Sequence, residues 1–291
     1  MKNRLFHVFR NNPLGRETLM QSVHFCKQME LGLTVYVPKW RKFDLQLGPN
    51  TVRLRLDASY LSDPDSAVEH AREVAEAEEV NIRFIHSSNG NVPKAPNLSQ
   101  GTAFITCPRA MSAPLERIGL GFIGSKVLAI LHTSSIPVLM PSPVFKPWNS
   151  VFVLFGNDAN SRKALRLGVH IAESTGCPLE VMTQEEKPAN GYRRNIHRAG
   201  MEYAVTETVQ KWHWFEKGDF ALQLEAVPHD ALVLLGASKR GFAGRALARS
   251  KMDIAQKTLN NNFMILGPHA NGNYQRERKE VFQAEPMACQ V

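Results

Sequence analysis

The chain has 291 residues, 43% hydrophobic and 21% charged, which is the balance of a globular protein and about the length of two domains. No apolar run approaches the roughly 18 residues of a membrane-spanning helix, and the short N-terminal apolar stretch, broken by Arg10 and Asn11, is not that of a signal peptide. The net charge of +8 is shared by both halves rather than concentrated in one stripe, which argues against nucleic acid as a partner.

Strand and helix signals alternate along residues 1–145, the first half of the chain. Short apolar runs rich in β-forming residues predict strands at residues 4–9, 33–37, 81–85, 103–107 and 136–140. Helical spacing begins near Leu19, and Asp63-Pro64 predicts a capped helix. The apolar face of that helix comprises Ala67, Val68, Ala71, Val74 and Ala75. Residues 38–62 have no clear period and are interpreted as an irregular insertion, and the polar residues 87–101 as a loop.

The same order returns in residues 146–268, the second half. Strands are predicted at residues 151–155, 178–182, 231–235 and 262–266, and helices at 161–172, 194–209 and 219–226. Fully apolar strands such as the one at 231–235 belong inside a parallel sheet that helices cover on both faces. The repeat therefore predicts two doubly wound α/β domains, at 1–145 and 146–268, joined near residues 143–149. Residues 269–291 form a polar tail.

The cysteines and histidines suggest neither disulfides nor a metal centre. No two cysteines form a CxxC pair, and the ten histidines show no HExxH or HxxxH spacing. Free thiols fit a reducing compartment, so we expect a cytoplasmic protein. Cys107 is predicted to be a buried thiol, although Arg109 nearby offers a second interpretation, in which the cation lowers the pKa of the thiol.

Several short motifs together resemble the universal stress protein family. Gly124-Ser125 and the strand at 136–140 resemble that family's last loop, helix and strand. In the second half, residues 161–165 (SRKAL), 218–221 (GDFA) and 229–238 (HDALVLLGAS) resemble its first helix, its turn into the third helix and its fourth strand. The resemblance covers nearly all of the second half and the ends of the first. It implies flavodoxin-like domains whose closing strands pair across a pseudo-dimer axis.

Nucleotide-binding members of that family carry Gly-x2-Gly-x9-Gly-Ser/Thr after the fourth strand. The glycines let the backbone approach phosphate, and the amides and hydroxyl at the helix N-terminus hold the anion. Gly236 and Ser250 match this motif in register, whereas Lys239 and Arg249 replace two of its glycines. The candidate nucleotide or anion site of the second half comprises Gly236, Ser238, Lys239, Arg240, Gly241, Gly244, Arg249 and Ser250.

The first half keeps less of the motif, and we expect it to be the degenerate domain. Gly121, Gly124 and Ser125 are its candidate phosphate-loop remnant, although Gly124 and Ser125 also suit a simple helix cap, which is favoured. The family's Asp at the end of the first strand, which holds the nucleoside, matches Arg10 and Gly156 here. The resemblance therefore implies weak or absent ATP binding in the second domain and none in the first.

Two patterns carry competing interpretations. One is a basic cluster, which is either an anion site or, as favoured, a solvated loop, and it consists of Lys239, Arg240, Arg245, Arg249 and Lys251. The other is Trp212-His213-Trp214, which suggests a base-stacking surface. A strand that packs one tryptophan inward and turns His213 to the opposite face is favoured.

The resemblance implies a stress-response or regulatory binding protein without catalysis. No GxSxG elbow, P-loop or motif with paired carboxylates is present, so no catalytic residue and no metal ligand is assigned. Two alternatives remain open: a switch that binds ATP or AMP, and a scaffold that binds a protein partner without any ligand. No cofactor is certain. The expected partners are an adenine nucleotide or small anion, a regulatory protein and a second copy of the chain, but no membrane.

Overall fold

The structure is a computed structural model. It describes residues 3–47, 50–56, 58–61, 63–86, 98, 101–109, 111, 123–156, 158–185, 189–237 and 251–271. The strands of the first half are β1 (Arg4–Val8), β2 (Gly32–Val37), β3 (Lys42–Leu47), β4 (Asn50–Arg55), β5 (Ile82–His86), β6 (Thr102–Thr106) and β7 (Val138–Met140). Its helices are α1 (Pro13–Gln28), α2 (Pro64–Ala77) and α3 (Ser125–Thr133).

The second half repeats this alternation. Its strands are β8 (Ser150–Leu154), β9 (Leu179–Gln184), β10 (Val209–Phe215), β11 (Ala231–Gly236) and β12 (Asn262–Leu266). Its helices are α4 (Ala159–Thr175), α5 (Ala189–Arg198), α6 (Glu202–Thr208), α7 (Phe220–Gln223) and α8 (Lys251–Thr258). Within the part of the chain that the structure describes, no helix is both long and apolar enough to cross a membrane.

Ten strands form one sheet in the order β10-β9-β8-β11-β12-β7-β6-β1-β2-β5. All pairs in it are parallel except β12 with β7, where Phe263, Met264 and Ile265 lie opposite Met140, Leu139 and Val138. Each half contributes five strands to this sheet, with β3 and β4 left out of the count. Read outward from the antiparallel junction, both sides have the same order of these five: fifth, fourth, first, second and third. The α/β prediction is confirmed, and the closing strands pair as expected.

Helix starts follow the cap signals in the sequence. Asn12, Asp63 and Asp158 are the N-cap residues of α1, α2 and α4, and their side chains accept hydrogen bonds from backbone N–H groups one turn in. Pro13 and Pro64 occupy the first helical positions, where the missing N–H costs nothing. These caps place the first turns of α1 and α4 directly beyond the ends of β1 and β8.

The sheet separates two apolar cores. On one face, α1, α2 and α4 cover alternate residues of the strands, such as Leu5, Val153 and Leu234. On the other face, α3, α7 and α8 cover residues such as Phe6, Val233 and Phe263. Both faces of the central strands are therefore buried, which is why those strands lack polar alternation.

Two expectations about regular structure are wrong. Within the insertion at 38–62, β3 and β4 form an antiparallel hairpin, whose Leu45, Leu47, Val52 and Leu54 pack into the same core as α7. The hairpin's buried residues alternate with polar ones such as Gln46 and Arg53, so a short stretch of its sequence contains no apolar run. The helix predicted at 194–209 is instead α5 and α6, because Gly200 adopts a φ of +65° between them and Val209 already begins β10.

Two further expectations are only partly met or lie outside the described residues. On α2, Ala67, Ala71 and Ala75 are buried as predicted, but Val68 and Val74 remain partly exposed at the edge of the core. Most of the predicted loop at 87–101 and residues 272–291 of the predicted tail lie outside the described part of the chain.

Candidate functional site

In each half the first strand lies between the second strand on one side and the fourth strand of the sheet on the other. Because the chain crosses over in opposite directions from this point, a crevice opens between the carboxyl ends of the first and fourth strands. Each half has one such point: β1 beside β6, and β8 beside β11. The two crevices differ in what fills them.

The first-half crevice contains an open pocket whose empty space, with the solvent at its mouth included, is about 480 Å³. The loops after β1, β6 and β7 line it, together with the first turns of α1 and one residue from the insertion. The lining residues are Val8, Arg10, Leu14, Gly15, Thr18, Tyr60, Pro108, Arg109, Pro141 and Pro143. Apart from two arginines, this wall is mainly apolar.

Arg109 is 2% exposed and reaches from the first half to the second. Its Nη1 donates to the carbonyl of Gln256 at 3.0 Å, and its Nη2 to that of Leu259 at 3.5 Å. These carbonyls lie at the carboxyl end of α8, where backbone acceptors lack helical partners and a cation is favourable. Burial lowers the pKa of Arg109 to about 10, so the guanidinium remains charged at neutral pH.

Arg10 is the other cation of the pocket and is also buried. Its guanidinium lies 5.0 Å from the centroid of the Tyr60 ring, a cation–π arrangement. Tyr60 belongs to a 3₁₀ turn that follows the hairpin, so the insertion supplies one wall of the pocket.

The second-half crevice has its own contact between the first helix and the fourth strand of its half. Asn160 donates through its Nδ2 to the carbonyl of Ala237 at 2.7 Å, which ties the first turn of α4 to the end of β11. A Cβ on Gly236 would lie 2.3 Å from the carbonyl carbon of Asn160, so this closeness requires glycine. Counting from the helix caps and the strand pairing, Leu14 and Arg109 are the counterparts of Asn160 and Ala237.

Comparison with solved structures identifies the fold. A universal stress protein from Archaeoglobus fulgidus DSM 4304 aligns with a TM-score of 0.59 and 14% identity, over 92% of this chain and 99% of that chain. A functionally unknown protein from Pseudomonas aeruginosa PAO1 aligns at 0.57 and 15% identity, over 92% and 93%. No protein-family model matches the sequence. No curated protein matches it either.

This chain has the universal stress protein fold. The cytoplasmic domain of a prokaryotic cation chloride cotransporter is also similar, with a TM-score of 0.52 and 11% identity over 94% of this chain and 98% of that domain. Because these solved structures align along nearly their whole length, the likeness covers both halves of the sheet.

Three of the expected site residues lie within the described part of the chain. Gly236 ends β11 and packs against α4 as described above. Gly124 is the N-cap residue of α3, its N–H donates to the carbonyl of Arg109 at 2.8 Å, and Ser125 begins the helix. The other expected residues lie outside the described part of the chain: Gly121, Ser238, Lys239, Arg240, Gly241, Gly244, Arg249 and Ser250.

Lys251 is the only member of the predicted basic cluster that lies within the described residues. It begins α8, and its Nζ lies 5.4 Å from the centroid of the Phe220 ring. This lysine therefore covers an aromatic side chain of α7. Arg245, like the rest of the cluster, falls outside the described ranges.

The pocket of the first half was not predicted from sequence patterns. Arg10 stood out there only as the replacement of a carboxylate, and Arg109 only as a neighbour of Cys107. The signal that was available is two arginines directly beyond the first and fourth strands, since the carboxyl ends of adjacent parallel strands meet. Tyr60 carried no such signal, because only the packing of the hairpin brings it to the crevice.

A buried polar chain lies beneath the pocket. His7 Nδ1 is 2.9 Å from Ser22 Oγ, which is 2.8 Å from Thr106 Oγ1. Complete burial lowers the pKa of His7 to about 3, so the ring is neutral. All three residues are closed off from solvent, so the chain ties β1, α1 and β6 together and is not open to a substrate.

The cysteine and tryptophan predictions are resolved by burial. Cys107 is fully buried and burial raises the pKa of its thiol, so Arg109 does not activate it.

Trp212 donates through its indole N–H to Thr183 Oγ1 at 3.0 Å and stacks on Trp214, which is 39% exposed. His213 points to the other face and pairs with Glu180 at 2.6 Å, as expected for a strand. Within the described ranges, no group of three His, Cys, Asp or Glu residues could hold a metal ion.

Proposed function

We propose that this chain is a non-catalytic regulatory binding protein of the universal stress protein type, with weak or absent ATP binding. One observation carries the proposal: both switch-point crevices depart from a nucleotide cradle, each in its own way. In the first half, Arg10 stands where the family's nucleotide-binding members have Asp. In the second half, Gly156 stands at that Asp position, and Lys239 and Arg249 replace two of the motif's glycines.

The fold supports this proposal at a coarser level. Universal stress proteins are regulators of the stress response, and a chain that keeps their architecture through both halves is expected to act by binding. We propose domain boundaries at 1–145 and 146–268, with a tail at 269–291. The repeated strand order and the position of the antiparallel junction support that division.

We also propose a cytoplasmic location. Cys26 and Cys107 are buried free thiols, and Cys177 is a partly exposed one. Such thiols persist most readily in a reducing compartment.

A scaffold that binds a protein partner is the second candidate function. The second half favours it, because Gly156 stands where the family has Asp, and Lys239 and Arg249 replace two glycines of the nucleotide-binding motif. The similar cytoplasmic domain of a prokaryotic cation chloride cotransporter is an example of such an architecture within a larger protein. Recovery of a stable complex with empty crevices would favour this candidate.

Calorimetric titration with ATP and Mg²⁺ tests the main proposal. We expect a dissociation constant weaker than about 0.1 mM, because Lys239 and Arg249 replace two glycines of the motif and Arg10 and Gly156 stand where the family has Asp. Micromolar affinity that Lys239→Glu abolishes would contradict the proposal and favour the nucleotide switch. Mass spectrometry of small molecules released on denaturation provides an independent check, since co-purified ATP or AMP would point the same way.

A further inference from the structure

One buried donor of an arginine that lines the first-half pocket lacks an acceptor. Arg109 lines the pocket at 2% exposure, and its Nε–H has no hydrogen-bond partner among the described residues. Its two Nη groups already donate to the carbonyls of Gln256 and Leu259. A buried charged donor without an acceptor is costly, so such a group in a native protein calls for a partner.

The pocket has the composition of an anion site with an apolar body. None of the lining residues that the structure describes is acidic, and Arg10 adds a second guanidinium to that of Arg109. Most of the remaining wall consists of the Tyr60 ring, aliphatic side chains and three prolines. Such a wall fits the hydrocarbon part of a ligand, whereas a nucleoside triphosphate would require many more polar partners.

We propose that this pocket binds a small apolar carboxylate. Arg109 and Arg10 hold the carboxylate group, and the hydrocarbon part lies against Tyr60 and the prolines Pro108, Pro141 and Pro143. Arg109 donates to the carboxylate through its Nε–H, because its two Nη groups stay on the carbonyls of α8, and this geometry needs no glycine-rich loop.

Arg109 is held in place before the ligand arrives. The carbonyls at the end of α8 fix two of its nitrogen atoms, so binding through Nε–H adds an acceptor without breaking either contact. A pre-positioned donor loses little conformational entropy on binding. Because Arg109 belongs to the first half and α8 to the second, an occupied pocket also strengthens a contact between the halves.

This inference rests on the proposed role as a binding protein and names the class of its ligand. Its outcome is separable from that of the ATP titration. Micromolar ATP affinity contradicts the proposed function, whereas the present inference fails only if carboxylates do not bind in the pocket.

Benzoate is the probe, and benzamide is its uncharged counterpart of nearly the same shape. Titrations followed by two-dimensional amide NMR on the full chain are expected to show saturable benzoate binding, with shifts around residues 8–18 and 109. Benzamide is expected to bind at least tenfold more weakly. Inorganic phosphate, which has no apolar body, is expected to bind more weakly than benzoate.

Three variants locate the site. Leu14→Trp fills the mouth of the pocket without removing a charge, and Arg10→Gln removes one cation; each is expected to weaken benzoate binding at least tenfold. Arg109→Gln is expected to do the same, but it also removes the contacts to α8, so the first two variants decide if it does not fold. Arg193→Gln, an exposed arginine on α5, is the matched charge control and is expected to leave binding unchanged. Equal binding of benzoate and benzamide, or benzoate binding that survives both Leu14→Trp and Arg10→Gln, would overturn the proposal.

Discussion

Gly236 is the position at which the end of β11 packs closely on helix α4. Its backbone packs so closely on the first turn of α4 that a methyl group would overlap Asn160 and Ser161. In the sequence the same glycine reads as part of a phosphate-binding motif. The structure gives it a second role, close packing of helix on strand, which persists whether or not a ligand binds.

Replacing Gly236 with alanine is expected to lower the free energy of unfolding by about 1–3 kcal/mol, because the backbone of α4 must move away from β11. Gly191→Ala is the control: it lies in α5, nothing stands within 4 Å of its added Cβ, and alanine favours a helix by about 0.5–1 kcal/mol. Urea unfolding of both variants checks this. Equal stability of Gly236→Ala and the unchanged protein would show that α4 can move away from β11 without a measurable loss of unfolding free energy.

His7 is expected to make stability depend on pH. Its pKa is about 3 in the folded protein, against 6.5 for an unburied histidine, so between these values the unfolded chain binds a proton that the folded protein does not. Its contribution is therefore fully present above pH 6.5 and is lost as the pH falls toward 3. The slope approaches about 1.4 kcal/mol per pH unit.

Unfolding titrations of the unchanged protein and of His7→Asn between pH 7 and pH 5 isolate this effect. Asparagine can keep a hydrogen bond to Ser22 but does not titrate, so the variant is expected to lose less stability on acidification. Burial also lowers the pKa values of His24 and His70, and these groups are common to both proteins. Parallel pH curves for the two proteins would refute the assignment to His7.

At the scale of elements, the β3–β4 hairpin most changes the first half. It packs Leu45, Leu47, Val52 and Leu54 against the face that α7 covers in the second half. It also delivers Tyr60 to the pocket. The first half is therefore remodelled rather than simply degenerate: its insertion adds both core and a binding wall.

The elements that sequence patterns predicted best are the buried strands and the capped helices. Runs such as residues 231–235 have no competing structure, because fully apolar segments of that length must be covered on both faces. The hairpin and the division between α5 and α6 were missed for a shared reason. Short amphipathic segments match several periods, and tertiary contacts or a single glycine with positive φ choose among them.

At the scale of the whole molecule, Asn262 is central to the junction between the halves. It is buried, donates to Gln21 Oε1 at 3.1 Å and to the carbonyl of Lys146 at 2.9 Å, and accepts from the N–H of Ser142 at 2.9 Å. One side chain thus fixes α1, the segment between the halves and the first residue of β12.

Asn262→Leu is expected to lower the free energy of unfolding by about 3 kcal/mol or more, because it leaves buried partners unsatisfied at about 1–3 kcal/mol each. Asn260→Ala, two residues away and exposed, is expected to cost less than about 1 kcal/mol. Chemical denaturation of both variants tests this. A larger loss in Asn260→Ala than in Asn262→Leu would mean that the junction does not depend on this side chain.

The sequence by itself determined the architecture: two α/β repeats, their closing strands and the loss of the usual nucleotide-binding residues. Those features are local, because apolar periodicity, caps and motif spacing act within about 20 residues. Only the tertiary structure decided which residues line the first-half pocket and which contacts hold α4 on β11. That outcome depends on pairs far apart in the chain, Asn160 with Ala237 and Arg109 with Gln256, which no local pattern encodes. The physical reason is that a pocket is the space left between packed elements, so its existence follows from packing and not from any single segment.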